Sequence, residues 1–575
     1  MPTEEKRKLW LFFIPSSVAA FISIASPTIP HLLLHFVAGC FAGFAAYKTT
    51  PSFRKIANKA SSAIIIGLTL VVSFHVCQSS AKSFFLTWST SSTLSLLFSM
   101  LFPTPMTGII VASVLVGVLG FPFIAFVIYN LFTQLFLLID SVPIHGIIKT
   151  LISQFHVTFN IKTSIRIFAN LITAVLIGIG LLYAAYTVPL DAINQNVRDS
   201  ANLIHSEGTY PTLYSWATSR LDNYTDSLML LEAADNTNAT TLQRIINVYR
   251  GSIDNLDPAA TLFEHYINNQ EFDSKTEYAR YWHGYLVVLK PLLRFLNYSD
   301  IRKLNALVQT ACIFLVSLLL LQKKLKEFIF PFIVSFAMLT PSIMAKSMQY
   351  SSCFYITILG MIALLLIPIH KRSGVVFFVF FNIGILTAYF DFLTYPITTF
   401  GIPAILYLVL HSSDELKQRL VGIIINGIFW AAGYIGMWVS KWLVVQALTE
   451  SDFLASVFSQ IAFRINGSVN FVSTSLDDVL ISNYTAFFTT PVTLIVIILF
   501  AVLIIRIKRS HILNASAIVD TLLPYVVIGI IPVAWYTFAK NHSAIHFWFT
   551  NKSCIVTVMA LLFALSDVVR QNKQG

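Results

Sequence analysis

Charge is what this 575-residue chain has least of: Asp, Glu, Lys and Arg together make up 11% of it, against about 25% in an ordinary soluble domain. So thin a supply cannot cover a water-exposed body of this size, and a soluble globular protein is excluded. Disorder is excluded as well, because 56% of the residues are hydrophobic and the mean hydropathy is +0.73, whereas disordered chains are poor in apolar side chains. The five cysteines all lie within or beside apolar runs and form no CxxC spacing, so neither a disulfide scaffold nor a thiolate metal site is indicated. No GxSxG, GxxxxGK[ST] or GxGxxG in a strand–helix setting is present, which removes the usual nucleophile-elbow and nucleotide signatures. Internal repeats and low-complexity runs are absent too.

What is there is apolar length. Runs at about 9–26, 31–47, 61–78, 84–102, 106–120, 122–139, 167–187, 304–322, 328–341, 352–369, 374–390, 396–410, 419–440, 491–505, 519–538 and 553–568 are near the ~20 residues a crossing needs. The expected fold is an all-α polytopic membrane protein with about 14–16 transmembrane helices. Residues 106–139 read as two short spans broken at Gly120-Phe121-Pro122, and 143–164 as an interfacial segment. The first apolar stretch follows Lys6-Arg7-Lys8 but is succeeded almost at once by another, which reads as a retained anchor rather than a cleaved signal.

Basic residues set an expected orientation. With the N-terminus inside, the cytoplasmic gaps hold 22 of the 38 basic residues and eight of the 27 acids, leaving +14 inside and −3 outside. The formal charge of +11 is therefore read as positive-inside bias, not as affinity for nucleic acid. Both termini are expected in the cytoplasm. Three regions follow: residues 1–165, a multi-span module with no chemical constellation; 166–303, a first core span and a large extracytoplasmic loop; and 304–575, a second multi-span block. The loop at 188–303 carries 14 of the 27 acids and, being too long to be structureless, is expected to contain short helices near 225–234 and 259–268.

Four polar stretches fall at the outer ends of spans: Arg220 to Asp226, Tyr278 to His283, Asp391 to Pro396, and Lys540 to Lys552. Ionisable groups at membrane depth cost roughly 2.5–3.5 kcal/mol and tend to mark function. Asp222 and Asp226 are four apart and share a helix face, which suits general-base work; equally, Asp222 is placed to cap the helix through the Thr225 and Asp226 amides. Arg280, Lys290, Arg294, Arg302 and Lys303 run against the positive-inside trend. Phosphate recognition would explain them, and so would pairing with Glu277 or Asp300. His542 and His546 are also four apart, but residue 543 is Ser and no HExxH exists, so they read as hydrogen-bond donors or structural groups before zinc ligands. Asp391 caps or pairs at a turn before Tyr395-Pro396, or it binds a sugar.

At these residues the chain resembles the GT-C glycosyltransferases, integral membrane enzymes that use polyprenyl-phosphate-linked sugars. The stretches RLDNYTDSLMLLEAA, YARYWHGYLVVLKPLLRFLNY, YFDFLTYP and NHSAIHFWFTNK carry the resemblance, which spans about 165–570; the extra N-terminal spans depart from the family plan. The resemblance implies a GT-C-like core and an inverting sugar transfer at the outer face of a bacterial cytoplasmic membrane. It implies Asp222 as base with Asp226 second. Donor phosphate would be held by Arg280, Arg294, His542, His546 and Lys552, and acceptor by Asn223, Trp282, His283, Asp391, Tyr395 and Asn541. The implied partners are a polyprenyl-phosphate sugar, a cell-envelope glycan or lipid acceptor, and membrane lipid. No cofactor is dictated; a divalent cation stays open, with no metal ligands assigned. A transporter or flippase of lipid-linked saccharides would need charge along the whole bilayer path. A non-enzymatic envelope-assembly scaffold would not need Asp222.

Overall fold

A computed structural model describes residues 144–367, 373–449, 452–466, 475–510 and 515–574. The six spans expected between 9 and 139, and the break at 120–122, lie outside the described residues. The chain divides into two compact units, Met1–Ile144 and His145–Gly575, and the description concerns the second.

Helix α1 (Ile144–Thr158) leads into α2 (Ile161–Tyr186), whose N-cap Asn160 accepts a hydrogen bond from the Thr163 amide at 3.0 Å. A polar module follows: α3 (Leu190–Glu207), α4 (Asn223–Ala233), α5 (Thr241–Asn247), β1 (Tyr249–Ser252), α6 (Pro258–Tyr266), β2 (Ser274–Glu277) and α7 (Leu286–Leu293). Its helix starts are written in the sequence. Thr240 and Gln243 form a reciprocal capping box, and Asp257 caps α6 ahead of Pro258 at the first turn, the position where a missing N–H costs nothing. Ile193, Val197, Ala201 and Ile204 stand on one face of α3 and are fully buried. Each large member is worth about 1.5–3 kcal/mol in burial, so Val197→Asp would detach α3 from the module core.

The second block runs α8 (Tyr298–Gln322), α9 (Ile329–Ala337), α10 (Pro341–Lys346), α11 (Met348–Leu366), α12 (Ser373–Phe390), α13 (Ile397–Leu410), α14 (Leu416–Leu448), α15 (Phe453–Asn466), α16 (Leu476–Phe488), α17 (Val492–Ser510), α18 (Ala515–Gly529), α19 (Ile531–Phe538), α20 (Lys540–Ile545), α21 (Phe547–Thr550) and α22 (Ile555–Gln574). Six helical stretches among the described residues are long and apolar enough to cross a membrane, or seven if α16 and α17, bent by 90°, form one span. The protein is a helical polytopic membrane protein.

Helices α12 and α14 pack closest through small residues. A Cβ at Gly384 would overlap the Trp430 carbonyl, and one at Gly433 the Phe381 carbonyl. Reciprocal glycines let two backbones touch where lipid supplies no hydrophobic drive between helices.

Three expectations change. All ten apolar runs expected from 167 onward contain helix, but α9 has nine residues and α13 fourteen. At 1.5 Å per residue these reach about 14 and 21 Å, short of the ~30 Å core, so there are fewer crossings here than apolar runs. Residues 441–490, which no expected span covers, are largely helical where described, since α14 continues to Leu448 and α15 and α16 follow. The all-helical expectation also misses an antiparallel strand pair, joined through α6, that sets Tyr249 against Glu277 and Ser252 against Ser274. Its four-residue strands, YRGS and SKTE, have no apolar alternation to announce them.

Candidate functional site

Short helical turns between Lys540 and Cys554 bring His542, His546, Trp548 and Lys552 against the polar module and α15. Asp222 caps α4: its Oδ1 accepts the Thr225 amide at 2.9 Å, while Oδ2 accepts Trp548 Nε1 at 3.2 Å. The carboxylate is 2% exposed, and burial raises its pKa against these two bonds and the Arg220 charge. Each oxygen keeps a second lone pair. The Arg220 guanidinium lies over the Tyr210 and Trp548 rings at 4.8 and 4.7 Å. Lys552 is fully buried, sits 4.3 Å above the Tyr350 ring within electrostatic reach of Asp222, and its Nζ has no hydrogen-bond partner among the described residues.

The second half of the cluster turns on Arg464 of α15. Its Nη1 donates to His542 Nδ1 at 3.0 Å and to His546 Nε2 at 2.9 Å. His542 Nε2 lies 2.7 Å from the Leu393 carbonyl, which can only accept, so Nε2 carries the proton and Nδ1 the lone pair. His542 is thus neutral, and burial followed by His546 and Arg464 holds its pKa well below the usual imidazole value. The same logic leaves the proton of His546 on Nδ1, which has no partner among the described residues. Burial and Arg464 bring that ring down to about 3. Leu393 can present its carbonyl because it adopts φ +65° in a turn that Asp391 closes by accepting the Thr394 amide at 2.9 Å and the Thr394 hydroxyl. Asp391 itself is buried, which lifts its pKa to about 6.

Beside this cluster lies an aromatic groove of about 420 Å³, lined by Tyr281, Trp430, Tyr434, Trp438, Trp442 and Trp535, with Arg280 and Arg464 among its walls. The Trp442 indole donates to the Arg280 carbonyl at 3.1 Å, which fixes Arg280 at this wall. No carboxylate pairs with either guanidinium among the described residues. Two unpaired cations on an otherwise apolar groove suit a ligand with a long apolar tail and an anionic head.

The residues singled out from sequence divide into three sets. Asp222 and His546 both contact Trp548, whose ring packs edge-on to His546 at 5.3 Å; His542 lies 4.9 Å from the His546 ring, Lys552 is within electrostatic reach of Asp222, and Arg280 lines the same groove as Arg464. Asp226 does not share the site. It is fully buried and accepts from Tyr298, from Ser347 at 3.3 Å, and from the Met348 and Gln349 amides at 3.2 and 3.0 Å. It therefore caps α11 from another element, with burial raising its pKa to about 6. This is a structural placement for the expected second base.

The expected acceptor residues also lie inside the protein. Asn223 binds Glu207, Gly208 and Arg302; Trp282 donates to the Met437 carbonyl; His283 contacts Glu232, Tyr285 and the Tyr278 carbonyl. Tyr395 donates to the Tyr350 carbonyl and Asn541 to the Phe463 carbonyl. Asp391 is spent on its turn. Their polarity serves internal hydrogen bonding, the common fate of buried polar groups. Arg294 is exposed over Phe295, and Lys290 is buried on the Ala233 carbonyl. Arg302 pairs with Glu207 at 2.6 Å and Lys303 with Asp300 at 2.9 Å, so two of the five basic residues are neutralised by acids of the same module.

Arg464, Trp548 and Tyr350 were not anticipated. The signal for Arg464 is a lone cation in the apolar stretch FLASVFSQIAFRIN, which lies between the expected spans at 419–440 and 491–505. Aromatics at four-residue spacing (Trp430, Tyr434, Trp438, Trp442) were also legible as one helix face. Among the described residues, no three His, Cys, Asp or Glu side chains gather as metal ligands. No family model, curated protein or solved structure matches the chain.

Proposed function

We propose that this protein is a GT-C-type inverting glycosyltransferase, moving a sugar from polyprenyl phosphate to a cell-envelope glycan or lipid at the outer face of a bacterial cytoplasmic membrane. The observation that carries the reading is the aromatic groove walled by Arg280 and Arg464, two guanidiniums without carboxylate partners, joined through His546 and Trp548 to the buried carboxylate of Asp222.

In this reading the isoprenoid tail lies along Trp430, Tyr434 and Trp438, and the phosphate meets Arg280, Arg464 and the free Nδ1–H of His546. Neutral His542 does not touch phosphate; it accepts from Arg464 and so aims the guanidinium. Asp222 takes the proton of the acceptor hydroxyl as that oxygen bonds to the anomeric carbon. The bond from that carbon to the phosphate oxygen breaks, and its electron pair leaves with the phosphate, where the cations stabilise the growing charge. The raised proton affinity of Asp222 suits the task, because a base near the working pH transfers protons best.

The test uses purified full-length protein, a polyprenyl-phosphate sugar with a labelled sugar, and envelope glycan and lipid acceptors. Asp222→Asn should abolish transfer while donor binding persists, and Arg464→Ala should weaken donor binding. Transfer by Asp222→Asn at the unmodified rate would refute the base assignment. Movement of the labelled lipid across liposomes without transfer would replace the enzyme with a flippase.

A further inference from the structure

The polar module contains a second cavity, of about 290 Å³, far from the aromatic groove in character. It is bounded by α3, the end of α4, α6 and the β1–β2 strand pair, and lies at the low end of the ~300–1,000 Å³ typical of small-molecule sites. Its wall is built with care. Gly251 of β1 has no side chain where a Cβ would overlap the Phe272 ring, and His265 stacks on Phe272 at 3.7 Å, held by a 2.8 Å contact from its Nδ1 to the Gln270 carbonyl.

The charges at the wall cancel. Asp235 is buried and pairs with Arg244 at 3.0 Å and Lys275 at 3.7 Å, and the other two charged residues that line the cavity, Arg198 and Glu271, are of opposite sign. An anion would meet no surplus of cations here. A lipid tail would meet a polar wall. A flat base would find no aromatic platform in Phe272, which His265 and Gly251 cover. The side chains of Arg198, Asn269 and Gln270 make no hydrogen bond among the described residues although all three line the cavity. They offer donors and acceptors in the mixed pattern that a polyhydroxylated, uncharged ligand satisfies.

We infer that this cavity is a binding site for a neutral saccharide. It lies at the far end of α4 from Asp222, about 18 Å away along the helix, so it is separate from the transfer site and stands whether or not the transfer reading does.

Titration calorimetry on the full-length protein in nanodiscs tests it, with maltotriose, cellotriose, mannotriose and chitotriose as neutral probes and trigalacturonate as the acidic one. At least one neutral probe should bind. Arg198→Ala and Gln270→Ala, both exposed and cheap to remove, should each weaken it roughly tenfold, the worth of one or two hydrogen bonds, with the melting temperature unchanged. Gly251→Ala should displace Phe272 and weaken binding further. Asp222→Asn should leave the binding intact, which separates this site from the transfer reading. Absence of binding by all four neutral probes, binding indifferent to Arg198→Ala and Gln270→Ala, or preference for trigalacturonate would overturn the inference.

Discussion

Replacing Asp222 and Asp226 separately by Asn should give opposite phenotypes, although the two carboxylates are one helical turn apart. Asp226 accepts four hydrogen bonds, two of them from the otherwise orphaned first amides of α11. An Asn there keeps one oxygen and turns an NH₂ toward donors, so about two bonds are lost. A buried donor left unpaired costs roughly 1–3 kcal/mol, and the favourable charge at a helix N-terminus adds about 0.5 kcal/mol. Asp226→Asn should therefore lose about 3–6 kcal/mol. At Asp222, Asn is as good an N-cap as Asp, and only the Trp548 bond is sacrificed, a cost of about 1–2 kcal/mol. Thermal unfolding in detergent and transfer assays on the same samples read both effects. Asp226→Asn should melt well below the parent yet retain turnover at a temperature where it is folded. Asp222→Asn should melt near the parent and be inert. If Asp226→Asn were as stable as the parent, the cap role assigned to it would be refuted; if it were stable and inert, the two roles would have to be exchanged.

Arg464→Ala removes the donor from two buried imidazole nitrogens and should weaken binding of polyprenyl phosphate at least tenfold in a filter-binding assay, with Arg464→Lys restoring little because one ammonium cannot reproduce the planar fork. His546 is held neutral in the fold down to about pH 3, whereas an unfolded His takes its proton near 6.5. The unfolded state therefore binds more protons between these values, and stability is full above pH 6.5 and lost as pH falls. Asp226 and Asp391, raised to about 6, act in the opposite sense, so the readout is differential. The stability lead of the parent over His546→Gln should shrink by roughly 1–2 kcal/mol between pH 6.5 and 5, and a constant lead would contradict a neutral His546. Gly433→Ala should separate α12 from α14 and cost more than 2 kcal/mol by overpacking, seen as a lowered melting temperature; an unchanged one would mean the helices have room to part.

The membrane block was legible because its signal is composition. A run such as Leu304 to Leu321 has one reading in water, and the short helices at Asn223–Ala233 and Pro258–Tyr266 were legible from their caps. Asp222 could be seen as a cap from the spacing to Thr225. What periodicity could not give was the partner on the far side. Asp226 and Asp222 look alike along the chain, and only the fold shows that one faces the start of α11, 121 residues away, and the other faces Trp548. The same limit hides the surroundings of Asn223, Trp282, His283, Tyr395 and Asn541, since a polar side chain beside a span looks identical whether it faces water or a neighbouring carbonyl.

The electrostatics of the cluster follow from what the histidines do not carry. Three positive charges packed as tightly as Arg464, His542 and His546 would repel one another by several kcal/mol in a medium less polar than water. Neutral imidazoles remove that cost and turn their lone pairs toward Nη1, so one guanidinium is fixed by two acceptors of no net charge. A carboxylate in place of either ring would fix it equally well but would cancel it. A neutral imidazole therefore positions Arg464 without cancelling its charge, and the Leu393 carbonyl, made available by the Asp391 turn, locks the His542 tautomer that accepts from it. The prediction embedded in that choice is specific: Asp391→Ala, which touches no ligand in this reading, should loosen the turn, free His542 and raise the KM for the lipid donor, and an unaltered KM would break the chain of contacts from turn to cation.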